Sequence, residues 1–267
     1  MKKKIGLIII GDEILSGKRQ DKHLSKFIEL LTARGMALDW AQYLADDRDH
    51  ITAQLRNAFA SGDVVISCGG IGATPDDHTR QAAAAALDRE LALHPEAREL
   101  IWQRIRQMAA EQGASLDPEH PDTLRRFQMG EFPVGADIIP NPYNKIPGFS
   151  VGSVYFVPGF PVMAHPMMEW VLDTHHVDLH RSRVTQEKSM IVQGSMEATL
   201  TPLMEAVEAE FAPIKVFSLP SVDHPQWGRH IELGVKGDDA VQLDQAYAAL
   251  KAGLLRFGAT VGAELVR

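Results

Sequence analysis

The chain opens on a continuously apolar run, IGLIII at Ile5–Ile10. With no polar alternation, such a β-branched run predicts a strand buried on both faces, as in a parallel sheet. A polar loop, GDEILSGKRQ, follows. Leu24, Phe27, Ile28 and Leu31 then recur at helical spacing, and Gly35 stands where a helix C′ residue would. ALDWAQYL alternates like a strand, a second helix runs from Asp49 through Phe59, and VVIS at Val64–Ser67 is another buried run. The order β-α-β-α-β near the N-terminus predicts a doubly wound, mostly parallel sheet of the α/β class. Ligands of such sheets bind at the carboxyl ends of strands. Two polar loops leave such ends, Gly11–Gly17 and Gly69–Asp77.

Further along, RQAAAAALDREL and Pro95–Gln112 predict helices, and Gly113–Pro121 is rich in turn formers. ADIIPNPYNKIPGF, with its prolines and asparagines, predicts an ordered loop rather than an element. VGSVYFVPGFP reads as a strand and a tight turn, after which Pro161 opens a helix to about Asp173. The pattern turns polar and charged over Asp178–Gln186, which places a domain boundary near 183. Beyond it come a strand (SMIVQG), a helix (Met196–Phe211), two strands (IKVFSLP and HIELGVKG) and an amphipathic helix (Ala240–Phe257). This order predicts a small α+β domain over 184–267, after a larger α/β domain over 1–183. No internal repeat is visible.

Composition narrows the partners. The 267 residues carry a formal net charge of −8. A wide basic face is therefore not expected, which argues against nucleic acid or an anionic membrane as the main partner. The apolar runs are all shorter than the roughly 20 residues that span a bilayer, and the N-terminus lacks a signal-peptide pattern. One cysteine, Cys68, excludes an internal disulfide. The expected compartment is the cytoplasm.

The candidate chemistry lies in CGGIGATPDDHTR, Cys68–Arg80. Glycines in a short loop let backbone N–H groups approach a phosphate, yet Asp76 and Asp77 would repel one. The P-loop is excluded for want of Gly-Lys-Ser/Thr, and the dinucleotide fingerprint because Pro75 stands where its third glycine belongs. Two readings stay open. In one, Thr74 caps a helix, Pro75 is its first residue, and the two acids face the helix dipole. In the other, GDEI brings Asp12 and Glu13 to a neighbouring strand end, where four carboxylates are costly unless a cation compensates. Mg²⁺ binds through one or two carboxylates plus substrate phosphates, which reconciles glycines and acids.

Other candidates carry less. His176 and His180 have the spacing of a zinc pair but no acid between them as in HExxH, and read as solvated linker histidines. Cys68 reads as a small buried residue at a strand end, and Arg125-Arg126 as solvated or salt-bridged. Phe211, Phe217, Trp227 and Tyr247 read as core of the small domain.

Four stretches in order, GDEIL with the following S-G-KRQ-D, SCGGIGATPDDHT, NPYNKIPGF and VPGFP, resemble the molybdopterin-binding domain family over most of residues 4–172. More closely, they resemble the branch formed by the N-terminal part of competence/damage-inducible protein A and the N-terminal region of eukaryotic FAD synthase. The segment after 186 is similar to the one that follows in stand-alone members, and no counterpart of the competence protein's deamidase domain is expected. The resemblance implies a three-layer α/β/α sandwich. For the broader family it implies binding or adenylylation of molybdopterin, and for the closer branch metal-dependent hydrolysis of pyrophosphates such as ADP-ribose or FAD. It implies that Asp12, Glu13, Asp76 and Asp77 hold a divalent metal, Mg²⁺ or similar. It implies that Gly11, Asp12, Gly69, Gly70, Gly72 and Thr74 bind the ligand. Asn141, Pro147, Gly148, Pro158 and Gly159 join them from two later loops, with Pro161 next to the last. Asp76, Asp77 and Lys145 would be catalytic, Lys145 by neutralising phosphate charge.

This sequence departs from the family pattern at Ala73, where proline is usual, and at His23, where asparagine is usual. Ala73 loosens the turn, and His23 alters a polar contact that bears on turnover more than on binding. The expected function is a metal-dependent nucleotide pyrophosphatase acting on a nucleotide or pterin small molecule. A non-catalytic pterin or nucleotide binder and an adenylyl transferase of molybdenum-cofactor biosynthesis stay open beside it. The resemblance also implies a homo-oligomer, dimeric or trimeric.

Overall fold

The six residues of β1 (Ile5–Ile10) are all buried, as a continuous apolar run requires. They form an interior strand of the N-terminal sheet in a computed structural model that describes residues 3–113, 116–181 and 186–266. A single helical turn, α1 (Asp12–Leu15), leads to α2 (His23–Ala33), which returns the chain to β2 (Trp40–Leu44). Then α3 (Arg48–Ser61), capped by the Asp47 side chain on His50 N–H, crosses to β3 (Val64–Cys68). β2 and β3 pair parallel with opposite sides of β1. The chain therefore leaves β1 in one direction and comes back in the other, which makes the β1–β3 seam a topological switch point.

After α4 (Thr79–Ala86) the chain makes an excursion through β4 (Leu91–Leu93), α5 (Pro95–Gln112), α6 (Pro121–Phe127) and β5 (Glu131–Pro133). β6 (Asp137–Ile139), β7 (Gly148–Val151) and β8 (Val154–Val157) complete the sheet, and α7 (Pro161–His175) closes the unit. The strand order is β2-β1-β3-β8-β7-β6. β8 runs parallel to β3, and β7 and β6 are antiparallel. The loop expected over 136–149 thus contains two strand segments. Its prolines lie between them, where no ladder hydrogen bond is lost.

The alternation of β1 side chains sets up two cores. Ile5, Leu7 and Ile9 pack with Phe27 and Leu31 of α2 and Met167, Met168 and Val171 of α7. Ile8 and Ile10 pack on the other face with Ile51 and Leu55 of α3 and Ala82 and Ala83 of α4. Helices on both faces of a mostly parallel sheet make the expected three-layer α/β/α sandwich. A smaller cluster, with Ile101, Ile105 and Phe127 buried, holds α5 against α6.

The chain divides into units 1–182 and 183–267. The boundary expected near 183 lies outside the described residues. The second unit contains β9 (Gln186–Gln193), α8 (Glu197–Glu210), β10 (Lys215–His224), β11 (Gly228–Gly237), α9 (Ala240–Leu254) and β12 (Thr260–Val266). Its antiparallel sheet has the order β10-β11-β9-β12. Leu200, Val207, Leu243 and Leu250 of the helices pack on Met190, Val192, Leu233 and Val235. Phe211 and Tyr247 join this core as expected. Phe217 instead lies where a side chain at Gly234 would be, and Trp227 stacks on His224 at 4.4 Å. Among the described residues, no helix is long and apolar enough to cross a membrane.

Candidate functional site

Three loops meet at the carboxyl ends of β2, β1 and β3. Gly11 N–H donates to Leu44 O at 3.0 Å, and Gly69 N–H to Val157 O at 3.0 Å. The strands thus hand the loops over in register. Gly69 has φ +104° and a Cβ there would overlap Ile10 O, so only glycine lets the β3 loop pass this close to β1. Gly70, at φ +67°, leaves room for the Thr79 hydroxyl.

The carbonyls of this loop are tied back into the protein. Thr79 Oγ1 donates to Gly69 O at 3.0 Å, and Thr79 N–H to Gly70 O at 3.0 Å. The buried Arg80 guanidinium donates to Gly72 O at 2.6 Å and also to Gln128 O. The loop's N–H groups are treated differently. Among the described residues, those of Gly70, Ile71, Gly72 and Ala73 have no hydrogen-bond partner. A row of committed carbonyls and uncommitted N–H groups is the construction of an anion nest.

Thr74–Asp77 is a turn, not the helix start that the sequence allowed. α4 begins only at Thr79, with no side-chain cap. Asp77 N–H donates to Thr74 O at 3.0 Å, and Asp77 Oδ2 accepts from Thr74 N–H at 2.9 Å and from Thr74 Oγ1 at 2.5 Å. The Asp77 carboxylate, expected to face a helix dipole, closes the turn instead.

A cavity of about 410 Å³ opens over these loops. Of the expected residues, Gly11, Glu13, Gly69, Gly70, Gly72 and Thr74 line it. Asp76, Asp77, Asn141, Pro147, Pro158 and Gly159 also do. Asp12, Lys145 and Gly148 do not. Asp12 Oδ1 accepts from Asp46 N–H at 3.2 Å. Lys145 is in the left-handed region at φ +67°, its N–H bonded to Asn141 O. Gly148 is buried, and a side chain on it would overlap Phe156 O. Asn141 organises its own loop: Nδ2 donates to Asn144 Oδ1 at 2.8 Å and Ile146 O at 2.9 Å, while Oδ1 accepts from Tyr143 N–H at 3.1 Å.

Sequence reasoning missed Asp46 and Arg80. Asp46 follows β2 and lines the cavity, and its Oδ2 accepts from Asp12 N–H at 2.9 Å. Burial raises its pKa above the ordinary value, and the charges of Asp12, Glu13 and Asp76 raise it further. The available signal was its place at the carboxyl end of a third strand, beside the two loops already singled out. Arg80 closed the quoted glycine–aspartate stretch, but nothing in the sequence said that its guanidinium would hold a carbonyl of the loop.

His23 makes a polar contact of its own. Its Nε2–H donates to Gly159 O at 3.0 Å, and its ring meets His165 edge-on at 5.4 Å. Burial pushes the Cys68 thiol well up, as suits a packing residue. His176 is buried against Tyr155, and His180 Nε2 donates to Leu172 O at 3.2 Å. Arg125 pairs with Asp122 at 3.4 Å. Among the described residues, no three His, Cys, Asp or Glu side chains are grouped closely enough to hold a metal ion.

Comparison with known proteins extends this geometry. A CinA-like protein of Anaeromyxobacter dehalogenans is 32% identical over 186 residues, 68% of this chain and 43% of that protein. A CinA-like protein of Citrifermentans bemidjiense is 31% identical over 93% of this chain and 57% of its own length. The chain thus spans about half the length of these curated relatives. The crystal structure of the protein CinA of unknown function from Thermoplasma acidophilum superposes with a TM-score of 0.54 at 26% identity, covering 64% of this chain and 98% of that one. The family described as probable molybdopterin binding domain matches residues 6–177, which include the cavity and every loop around it. The chain belongs to the probable molybdopterin-binding domain family and is CinA-like.

Proposed function

We propose that the cavity binds a phosphate-bearing nucleotide or pterin and, with a divalent cation, hydrolyses a nucleotide pyrophosphate of the ADP-ribose or FAD type. One observation carries the reading: four uncommitted N–H groups and four carboxylates, Glu13, Asp46, Asp76 and Asp77, surround one cavity at the switch point. The N–H groups take phosphate oxygens. The carboxylates would repel the same phosphates unless a cation lies between.

The donor set suits a cation that arrives with its ligand. The side chains do not form a cage by themselves, and Mg²⁺ needs only one or two carboxylates when phosphates and water supply the rest. Asp46 and Asp76, with Glu13 beside them, would hold it. Asp77 is occupied by Thr74, and Asp12 lies off the cavity wall. A bound divalent ion polarises a phosphoryl oxygen and lowers the pKa of water. The protein's own part is orientation: Thr79 and Arg80 fix the loop carbonyls, so its N–H groups face a phosphate without reorganising. The family description supports a pterin as well as a nucleotide in the pocket.

The test is incubation with FAD, ADP-ribose and related pyrophosphates, with and without Mg²⁺, Mn²⁺ or Co²⁺, with products separated by chromatography. Metal-dependent release of a nucleoside monophosphate, lost in Asp76→Ala, is the expected result. Lys145 lies off the cavity wall, and this favours a second reading, binding without turnover. A ligand-induced thermal shift with no product over hours would select it.

A further inference from the structure

A second cavity, of about 270 Å³, adjoins the first. The two share Met129, Asn144 and Ile146 in their walls and so are neighbours along that wall. The floor of the second is apolar, from Ile101 and Ile105 of the small α5–α6 cluster. Tyr143, 62% exposed, stands beside it.

Its charge is distinctive. α5 and α6 carry Arg98, Arg104, Arg106, Arg125 and Arg126. Arg106 pairs with Glu99 at 3.0 Å, Arg125 with Asp122 at 3.4 Å, and Arg98 lies 5.0 Å from the Phe127 ring centre. Arg104 and Arg126 are the two that line the second cavity. Both are half-buried, and neither makes an ion pair with a described carboxylate. Two guanidinium groups brought from separate helices to one partly desolvated wall are unfavourable together unless an anion joins them. The net charge of −8 rules out a generally basic surface as the cause. Paired guanidinium forks are suited to the oxygens of a phosphate.

We infer that Arg104 and Arg126 form a distal oxyanion subsite, so that the ligand of the two cavities carries a phosphate at each end. Its first phosphate or pyrophosphate lies on the Gly70–Ala73 amides. Its middle crosses the apolar wall of Met129 and Ile146. Its second phosphate reaches the two arginines. The substrate class is therefore a nucleoside pyrophosphate with a further phosphate on its sugar. This inference rests on the ligand reading of the first cavity proposed above.

Calorimetric titration of the full chain with two ligand pairs tests it: ADP-ribose against its 2′-phosphate, and ADP against its 3′-phosphate. In the wild type, at least one extra phosphate should tighten binding by about tenfold or more, the scale of a charge-assisted contact. In R104Q/R126Q that gain should fall to under about twofold, while the affinity for unmodified ADP-ribose and ADP stays unchanged. R104K/R126K, which keeps the charge and loses the forks, should retain part of the gain. Should the glutamine variant melt early, this lysine variant decides. Equal affinity within both pairs, or a gain that survives R104Q/R126Q, overturns the inference and leaves the proposed function standing. With Mg²⁺ present, binding of none of the four ligands overturns the inference and removes ADP-ribose from the proposed substrates.

Discussion

His176 offers a pH dependence whose size follows from its surroundings. The ring is 4% exposed, meets Tyr155 edge-on at 5.3 Å, and its Nε2 has no hydrogen-bond partner. Burial pulls its pKa from 6.5 down to about 4, with the charges of His175, Lys3 and His180 acting in the same direction and Asp178 against them. The unfolded chain takes up the proton near pH 6.5, but the folded chain only near 4. Between these values the unfolded state binds more protons, so stability is full above pH 6.5 and falls as the pH drops toward 4. At about 1.4 kcal/mol per unit, and with allowance for solvent screening, the loss amounts to about 2–3 kcal/mol. Urea unfolding from pH 7.5 to 4.5 measures it, with His176→Phe as the reference that cannot titrate. Every other titrating group is common to the two proteins, so the difference between their pH curves isolates His176. The wild type should lose about 2–3 kcal/mol more than the variant over this range. Parallel curves would refute the reasoning.

The functional loops give three further expectations. Gly70→Ala forces a side chain into φ +67° and into the Thr79 hydroxyl, so it should cost about 1–3 kcal/mol in urea unfolding and abolish ligand binding by calorimetry. Asp46→Asn removes a carboxyl whose ionised form is disfavoured by burial and by Asp12, Glu13 and Asp76. The variant should melt higher at neutral pH and, with ADP-ribose present, bind Mn²⁺ more weakly, and wild-type Mn²⁺ affinity under the same conditions should decline with falling pH sooner than for an ordinary carboxylate, because the proton then takes the cation's place. Unchanged Mn²⁺ affinity in the variant would remove Asp46 from the site. Asp77→Ala, which frees the exposed Thr74, should lower stability by about 1 kcal/mol, whereas the exposed Asp76→Ala should melt normally and lose turnover.

Much of the first unit was legible because its buried strands are continuous apolar runs. IGLIII and VVIS could be little else, and their spacing around two helices dictated the neighbouring pair on which the site is built. β6 and β7 were hidden by the prolines between them, and GFSV owes its burial to its neighbours rather than to any pattern of its own. β12 shows only weak alternation, because its glycine and alanine are exposed and fall where its register with β9 shifts. At the site, the glycines and acids were readable as types but not as partners. That Asp77 closes a turn, that Asn141 spends its amide on its own loop, and that Asp46 joins the cavity are consequences of backbone path. A single sequence does not encode that path in any local spacing.

The cavity walls come from stretches of chain around Gly11, Asp46, Gly70, Met129, Asn141 and Gly159. The last joins only when β8 pairs with β3, Val65 opposite Val154. Pairing across about ninety residues is a slow, late step in folding. A nascent chain that has emitted the glycine loop therefore still lacks the Val157 carbonyl that holds Gly69 N–H and the far wall of the pocket. On the proposed function, binding requires the complete sheet, so a bound nucleotide would stabilise the finished fold and leave its precursors untouched.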